Sequence, residues 1–337
     1  MKPSRFAAVL FTAALSAAAV PAFGASSLLT PGGVRYAIVP DPDRAQVQIA
    51  RAQGDLRATL VAPTTQDAER ESQTQLAYDT ATGTLYVVWV RDNAGNAEIR
   101  FASLNVDGEW SDPRMVAAGS GAYRDLQFVL THAESDGQTA TLLHLAWWSV
   151  NGRVREPEYA MFAFENGVPV SAQVANLDEL AGLNGRVQTT ELEYEYDAIH
   201  PPMAMARNGE GVDVAFGAVG SSVLTRLNVT PRKVGGNVRI WKPLGRTPSR
   251  TPRAGVMLTT GTPVTGVIIN GRLALYSVTD EFRFVVLRSD NTWSEVHAVR
   301  LDAENTVDEL IRDLRHTVQE LLDHESQAAA DSAAAER

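Results

Sequence analysis

The sequence predicts an all-β chain: a β-propeller of four-stranded antiparallel blades followed by one C-terminal α-helix. Three observations carry that expectation. The stretch from Leu76 to Val116 holds four short apolar runs separated by turn residues at Thr82-Gly83, Asn93 to Asn96 and Asp107-Gly108. Runs this short, rich in Val, Tyr, Phe and Trp and bounded by Gly, Asn and Asp, read as strands. Four strands in about 40–45 residues is the size of one blade. The pattern then recurs. Residues 203–216 overlie 76–89, with Leu76 on Met203, Val87 on Val214 and Trp89 on Phe216. Finally, Asp107-Gly108-Glu109-Trp110-Ser111 returns as Asp290-Asn291-Thr292-Trp293-Ser294, the same D-x-x-W-S spacing.

Taken in order, residues 1–24 read as an export signal. Lys2 and Arg5 precede an apolar run from Phe6 to Val20, and Ala22-Phe23-Gly24 offers a small-x-small cleavage site. Localisation is therefore expected to be secreted or periplasmic, with no membrane span after cleavage. Residues 25–33 read as a linker opening the propeller, which is assigned to 25–303. Three strand-like runs follow between Val34 and Thr64, and the polar stretch 65–73 leads into the clear blade. A second blade spans 126–174, with a tight turn at Asn151-Gly152. A third spans 202–244 and a fourth 253–301. With the N-terminal strands the count is five blades, or six if the loops at 117–125 and 175–200 hide strands. Residues 304–325 read as a helix, with Val307, Ile311, Leu314, Val318 and Leu321 on one seam. Docking on the propeller is its first expected role and homo-oligomerisation its second. Residues 326–337 read as a disordered tail.

Composition narrows the function classes. The chain has 337 residues, 45% of them hydrophobic, no cysteine and a net charge of −10. The lack of cysteine excludes disulfides, thiolate metal sites and a thiol nucleophile. Overall acidity argues against a nucleic-acid partner. The charge is segregated, however. From Val214 to Thr279 there is no Asp or Glu but nine cations, among them Arg246, Arg250 and Arg253, so the remainder carries −19. Such a block suits an anionic ligand or a docking partner.

The blade pattern resembles the BNR or Asp-box propellers, the superfamily that includes sialidases. Their box reads S-x-D-x-G-x-T-W. Ser103, Asn105 and Trp110 hold its first, third and last places, while Asp107 stands where the Gly belongs and Glu109 where the Thr belongs. The second copy keeps Thr292-Trp293. The resemblance implies a propeller over roughly 74–301 in which the box is a folding element. Sialidase activity would further imply an arginine trio for a carboxylate, a Tyr-Glu pair and an acid. The early R-I-P motif has only Arg35 nearby, with Ile38 and Pro40 out of frame, and no role carries over to it.

Candidate sites are few. Glu191, Glu193, Glu195 and Asp197 alternate with Leu192, Tyr194 and Tyr196, so a strand would put four carboxylates on one face. A solvated edge strand accounts for that pattern. Catalysis by Glu193, Tyr194 and Glu195, or Ca²⁺ held by the four carboxylates, are the alternatives. No cofactor is otherwise expected. Trp147 and Trp148 must face opposite ways in a strand, leaving Trp147 as a stacking candidate. Arg91 and Asp92 sit at a turn where propeller loops meet ligands. The expected ligand residues are Arg91, Asp92, Trp147, Arg246, Arg250 and Arg253. The function expected is an exported, non-catalytic recognition or scaffold module for a glycan or protein. The alternatives are a sialidase-like glycoside hydrolase and an assembly subunit oligomerising through 304–325.

Overall fold

The computed structural model describes residues 27–335 except 40–45, 63–69, 178–202, 241–245, 251–264, 301–306 and shorter breaks within loops. Sheet 1 contains β1 (Ser27–Leu29), β2 (Arg35–Val39), β3 (Gln48–Gln53) and β4 (Leu56–Val61). Sheet 2 contains β5 (Arg70–Asp79), β6 (Thr84–Asn93), β7 (Asn96–Leu104) and β8 (Arg114–Ser120). Sheet 3 contains β9 (Ala122–Ser135), β10 (Gln138–Asn151), β11 (Val154–Glu165) and β12 (Val168–Asn176). Sheet 4 contains β13 (Met203–Asn208), β14 (Gly211–Gly217), β15 (Val223–Val229) and β18 (Arg246–Arg250). Between its last two strands the chain inserts a two-stranded ribbon, β16 (Pro231–Val234) and β17 (Asn237–Ile240). Sheet 5 contains β19 (Thr265–Ile269), β20 (Arg272–Val278), β21 (Glu281–Val286) and β22 (His297–Arg300). Helix α1 (Val307–Ala335) follows. The chain is thus all-β with four-stranded antiparallel sheets and one C-terminal helix.

The alternation that makes each strand also decides which way it packs. Along β6, Leu85, Val87 and Trp89 pack toward sheet 1, whereas Tyr86, Val88 and Val90 pack toward sheet 3. Along β10, Trp147 joins the cluster shared with sheet 2, and Trp148 joins the one shared with sheet 4. Sheets 4 and 5 share a further cluster around Ala204, Ala215, Leu275 and Trp293. Sheets 2, 3 and 4 are therefore each sandwiched by their sequence neighbours, and both faces of their central strands read as near-continuous apolar runs. Helix α1 lays Leu310, Leu314 and Val318 on the remaining face of sheet 5, against Phe282, Phe284 and Val286. Arg272 pairs with Glu325 to hold its far part.

Several expected boundaries move. The stretch 25–33 is not all linker: Ser27–Leu29 pairs with β2 and supplies the fourth strand of sheet 1. The stretch 117–125 is not a loop. β8 gives way to β9 within one residue, Gly121, whose φ of 95° lies in the left-handed region. A Cβ there would stand 2.1 Å from the Val150 carbonyl oxygen, so only glycine serves. The stretch 65–73 yields strand from Arg70 onward. The helix extends past 325 to Ala335, because the alanine-rich segment expected to fray has high helix propensity.

The Trp-Ser part of the D-x-x-W-S repeat is held alike at both sites. Leu104 bridges Trp110 as Leu287 bridges Trp293. The Ser111 hydroxyl accepts from the Ser103 N–H at 2.9 Å, and the Ser294 hydroxyl from the Val286 N–H at 3.0 Å. The serine thus closes the loop between third and fourth strands, satisfying a backbone donor that the turn would leave unpaired.

Candidate functional site

Sheets 2 and 3 carry the same irregularity at the same place. In sheet 2, Gln73 and Thr74 together oppose Trp89, between the pairs Ser72↔Val90 and Gln75↔Val88. In sheet 3, Asp125 and Leu126 oppose Trp147, between Arg124↔Trp148 and Gln127↔Ala146. The first residue of each bulge is left-handed, Gln73 at φ 50° and Asp125 at φ 53°. Glycine is the usual occupant of such a position, so a larger residue there stores strain and points to a use for its side chain. For Gln73 the use is visible. Its Nε2 donates to the Tyr123 carbonyl at 2.6 Å, and its Oε1 accepts from the Leu126 N–H at 3.0 Å. One amide satisfies backbone groups that the next bulge leaves open. The Gln75 amide donates to the Leu126 carbonyl beside it.

Beside the first bulge lies a buried polar group of side chains. Register sets Glu71 opposite Arg91, and Arg91 opposite Glu98. Trp89 stands opposite Arg100. All of them share the face of sheet 2 that meets sheet 1. Glu71, Trp89 and Arg91 are buried, at 6%, 0% and 4% exposure, while Asp92, Glu98 and Arg100 are half-buried. Arg100 Nε donates to Glu98 at 2.7 Å. Burial pushes the Glu71 carboxyl up to about 7, against the pull of the Arg100 charge and the neighbouring Trp89 indole; Glu98 and Asp92 push it further. The indole does not close a hydrogen bond, however. Glu71 Oε2 and Trp89 Nε1 are both buried without a hydrogen-bond partner. An acceptor and a donor left open side by side is costly and calls for an explanation.

The opposite end of the same sheets is closed. Asp79, at the end of β5, accepts from His132 Nε2 at 2.8 Å, Thr141 Oγ1 at 2.5 Å, Thr82 Oγ1 at 2.9 Å and the Ala81 N–H at 2.8 Å. Burial pushes this carboxyl up, but the bonds from His132, Thr141 and Ala81 and the nearby His132 ring outweigh it and hold the group well below the usual range. Deeper in sheet 3, His144 is enclosed between Thr131 at 2.7 Å and Tyr159 at 2.5 Å. Burial pulls its pKa down to about 3, so the ring is neutral and both nitrogens are used. It is a core histidine with satisfied partners.

The sequence candidates fall out as follows. Arg91 lies inside the polar group, and Asp92 lies at its rim. Trp147 is 1% exposed, its ring set against Tyr123 at 5.8 Å. Arg246 and Arg250 lie on β18, opposite Leu227 and Val223. Arg253 and the run Glu191, Glu193, Tyr194, Glu195 and Asp197 lie outside the described residues. Among the described residues no three His, Asp or Glu side chains gather in a way that could hold a metal ion, and no helix is long and apolar enough to cross a membrane.

No protein-family model matches this chain, and neither does any curated protein. Solved structures do. One is a variant of the lectin of Aleuria aurantia in complex with Fucα1-6GlcNAc, at 8% identity and a TM-score of 0.46, over 85% of this chain and 82% of that one. Another is a fungal lectin described as a six-bladed β-propeller with a fucose recognition mode, also at 8% identity and 0.46, over 82% and 78%. Identities this low give those lectins' ligand residues no claim on this chain.

Glu71 is the residue that sequence reasoning missed, because it sits in a polar stretch read as lead-in. Unbroken alternation from Leu76 would put Glu71 on the other face, and a polar interruption stands between them. The interruption is the bulge, which shifts the phase by one.

Proposed function

We propose that this chain is an exported, non-catalytic recognition module, secreted or periplasmic, that binds a glycan at the junction of sheets 1 and 2. The five sheets are read as blades of a propeller, their first strands β5, β9, β13 and β19 running beside one another and the Trp-Ser loops standing as degenerate Asp-boxes. Helix α1 takes the position on sheet 5 where a further blade would pack. The observation that carries the binding reading is the pair Glu71 Oε2 and Trp89 Nε1, buried and unpartnered within a mixed-charge group. A sugar hydroxyl donates and accepts at once, so a single hydroxyl satisfies both atoms. Half-buried Asp92, Glu98 and Arg100 supply a polar rim for its neighbours. A sialidase-like reading asks for arginines held ready for a ligand carboxylate. Arg91 and Arg100 instead stand among Glu71, Glu98 and Asp92, which favours a neutral ligand.

The test is a glycan array probed with the full chain, followed by titration of the best hit. A neutral glycan is expected to bind, and Glu71→Gln, which keeps the volume and removes the charge, is expected to weaken it about tenfold, the value of ~1.4 kcal/mol. Binding untouched by Glu71→Gln, or hydrolysis of the bound glycan, sinks the reading.

A further inference from the structure

On the face of sheet 3 that meets sheet 4, a second polar group stands apart from the Glu71 junction. Trp148 lies in the cluster shared with sheet 4. Register sets Arg124 opposite it on β9 and Pro157 opposite it on β11. Arg155, two residues before Pro157 and opposite Val150, shares that face. Diagonal neighbours of this kind stand about 7–8 Å apart, within reach of long side chains. Trp148 is fully buried and its Nε1 has no hydrogen-bond partner, and neither has the buried Nη1 of Arg155. Two donors on one face are therefore open, each a cost that an arriving acceptor removes. Arg124 by contrast is used, its Nη1 donating to the Tyr123 carbonyl at 2.9 Å.

Asp125 follows Arg124 at the bulge. It repeats the left-handed position of Gln73, whose amide ties sheet 2 to the bulge of sheet 3. Asp125 has no such bulge to tie, because β13 pairs with β14 in unbroken register from Met203 to Asn208. The strain is kept without the bridge, which points to another use for the side chain. Burial raises its carboxyl to about 6, against the pull of Arg124. Arg124, Asp125 and Arg155 are each half-buried, so the group reaches the surface.

Charge and spacing define what fits. Arg124 is set against Asp125, and Arg155 forms no salt bridge among the described residues. A monoanion matches that one charge. A carboxylate has two oxygens, one for the indole N–H and one for the guanidinium. Strands β9 and β11 lie two strand spacings apart, roughly 10 Å. A molecule that also bonds Asp125 through a hydroxyl must span about that distance. A small hydroxy acid is too short, and two linked sugars are not. We infer that this junction holds an acidic oligosaccharide, with a uronate carboxylate on Trp148 Nε1 and Arg155 Nη1 and a hydroxyl of the next sugar on Asp125. The inference does not rest on the neutral-glycan reading of Glu71.

The test titrates the full chain by calorimetry with digalacturonate, its methyl ester, galacturonate and galactose 6-sulfate. Digalacturonate is expected to bind, and the uncharged ester to bind about tenfold more weakly or worse, the value of a charge-assisted hydrogen bond. Arg155→Met keeps the stem, removes the fork and should lose about as much. Trp148→Phe keeps a ring, removes the N–H and should lose a smaller share. Asp125→Gly suits the left-handed backbone and should weaken digalacturonate while leaving galacturonate unchanged. All three variants are expected to keep the wild-type circular dichroism. The ester comparison needs no variant, so it decides even where a substitution unfolds the chain. No binding of digalacturonate at millimolar concentration overturns the inference, as does a methyl ester that binds equally well. So does affinity indifferent to Arg155→Met and Trp148→Phe, digalacturonate affinity untouched by Asp125→Gly, or tighter binding of galactose 6-sulfate than of galacturonate.

Discussion

The two ends of sheet 2 hold buried carboxyls in opposite states. At one end Asp79 has four donors and is held well below the usual range. At the other Glu71 has an unpartnered oxygen and is raised to about 7. Both are buried, on opposite faces of one sheet, so burial alone does not separate them. What separates them is the count of donors, and with it the role. A carboxylate whose lone pairs are filled ties two sheets together. One whose lone pair is open is the group to which the proposed ligand hydroxyl would bond.

The sharpest way to break this contrast is to remove the filled carboxyl. Asp79→Asn strands His132 and Thr141 and should cost roughly 3 kcal/mol in urea denaturation, the size expected for breaking a buried pair. Its pH signature follows from the lowered pKa. The stability that Asp79 supplies is complete above its ordinary value of 3.8 and is lost as pH falls below it. The variant should lack that acid slope, and an unchanged slope would show that other groups carry it.

Glu71 should behave in the opposite sense. Its raised pKa means that the folded state holds a proton the unfolded state releases, so stability is full below about 4.5 and falls as pH rises toward 7. Glu71→Gln should therefore stabilise the unliganded protein by up to ~3 kcal/mol at pH 8, at 1.36 kcal/mol per unit. Asp125, raised by burial to about 6, adds a slope of the same sign, so Glu71→Gln flattens the curve without abolishing it. Loss of stability at pH 8 would mean that the open oxygen is filled.

The smallest effect concerns the bulge between the two ends. Gln73→Ala loses the amide bridge and keeps the left-handed backbone, whereas Gln73→Gly loses the bridge and relieves the strain. The glycine variant should be the more stable of the two by about 1 kcal/mol. Equal stabilities would show that the bulge relaxes on losing its side chain.

Much of the strand pattern was legible because turns need particular chemistry. Gly83, Gly108 and Gly152 each adopt the positive φ that their turns require. The Trp-Ser repeat was legible too, although its working residue is the serine rather than the aspartate. The bulges were not. Gln73 and Asp125 are ordinary polar letters, and only the register reveals the doubled position. Without the bulge, Glu71 falls on the wrong face and drops out of any list of candidates. The ribbon in sheet 4 was hidden for a related reason: a two-stranded insertion rich in Arg and Lys reads as loop, although its charge was plain.

Helix α1 has one more consequence. Sheet 1 buries Leu28, Tyr36 and Ile49 on one face and leaves Ala37, Val39, Ala50 and Ala52 half-buried on the other. At the far end, α1 turns Arg312, Asp313, Arg315 and Glu320 outward over sheet 5. The helix thus does for sheet 5 what a polar capping repeat does for a stacked array: it covers the last apolar face and turns charge to the solvent, so no further sheet packs there.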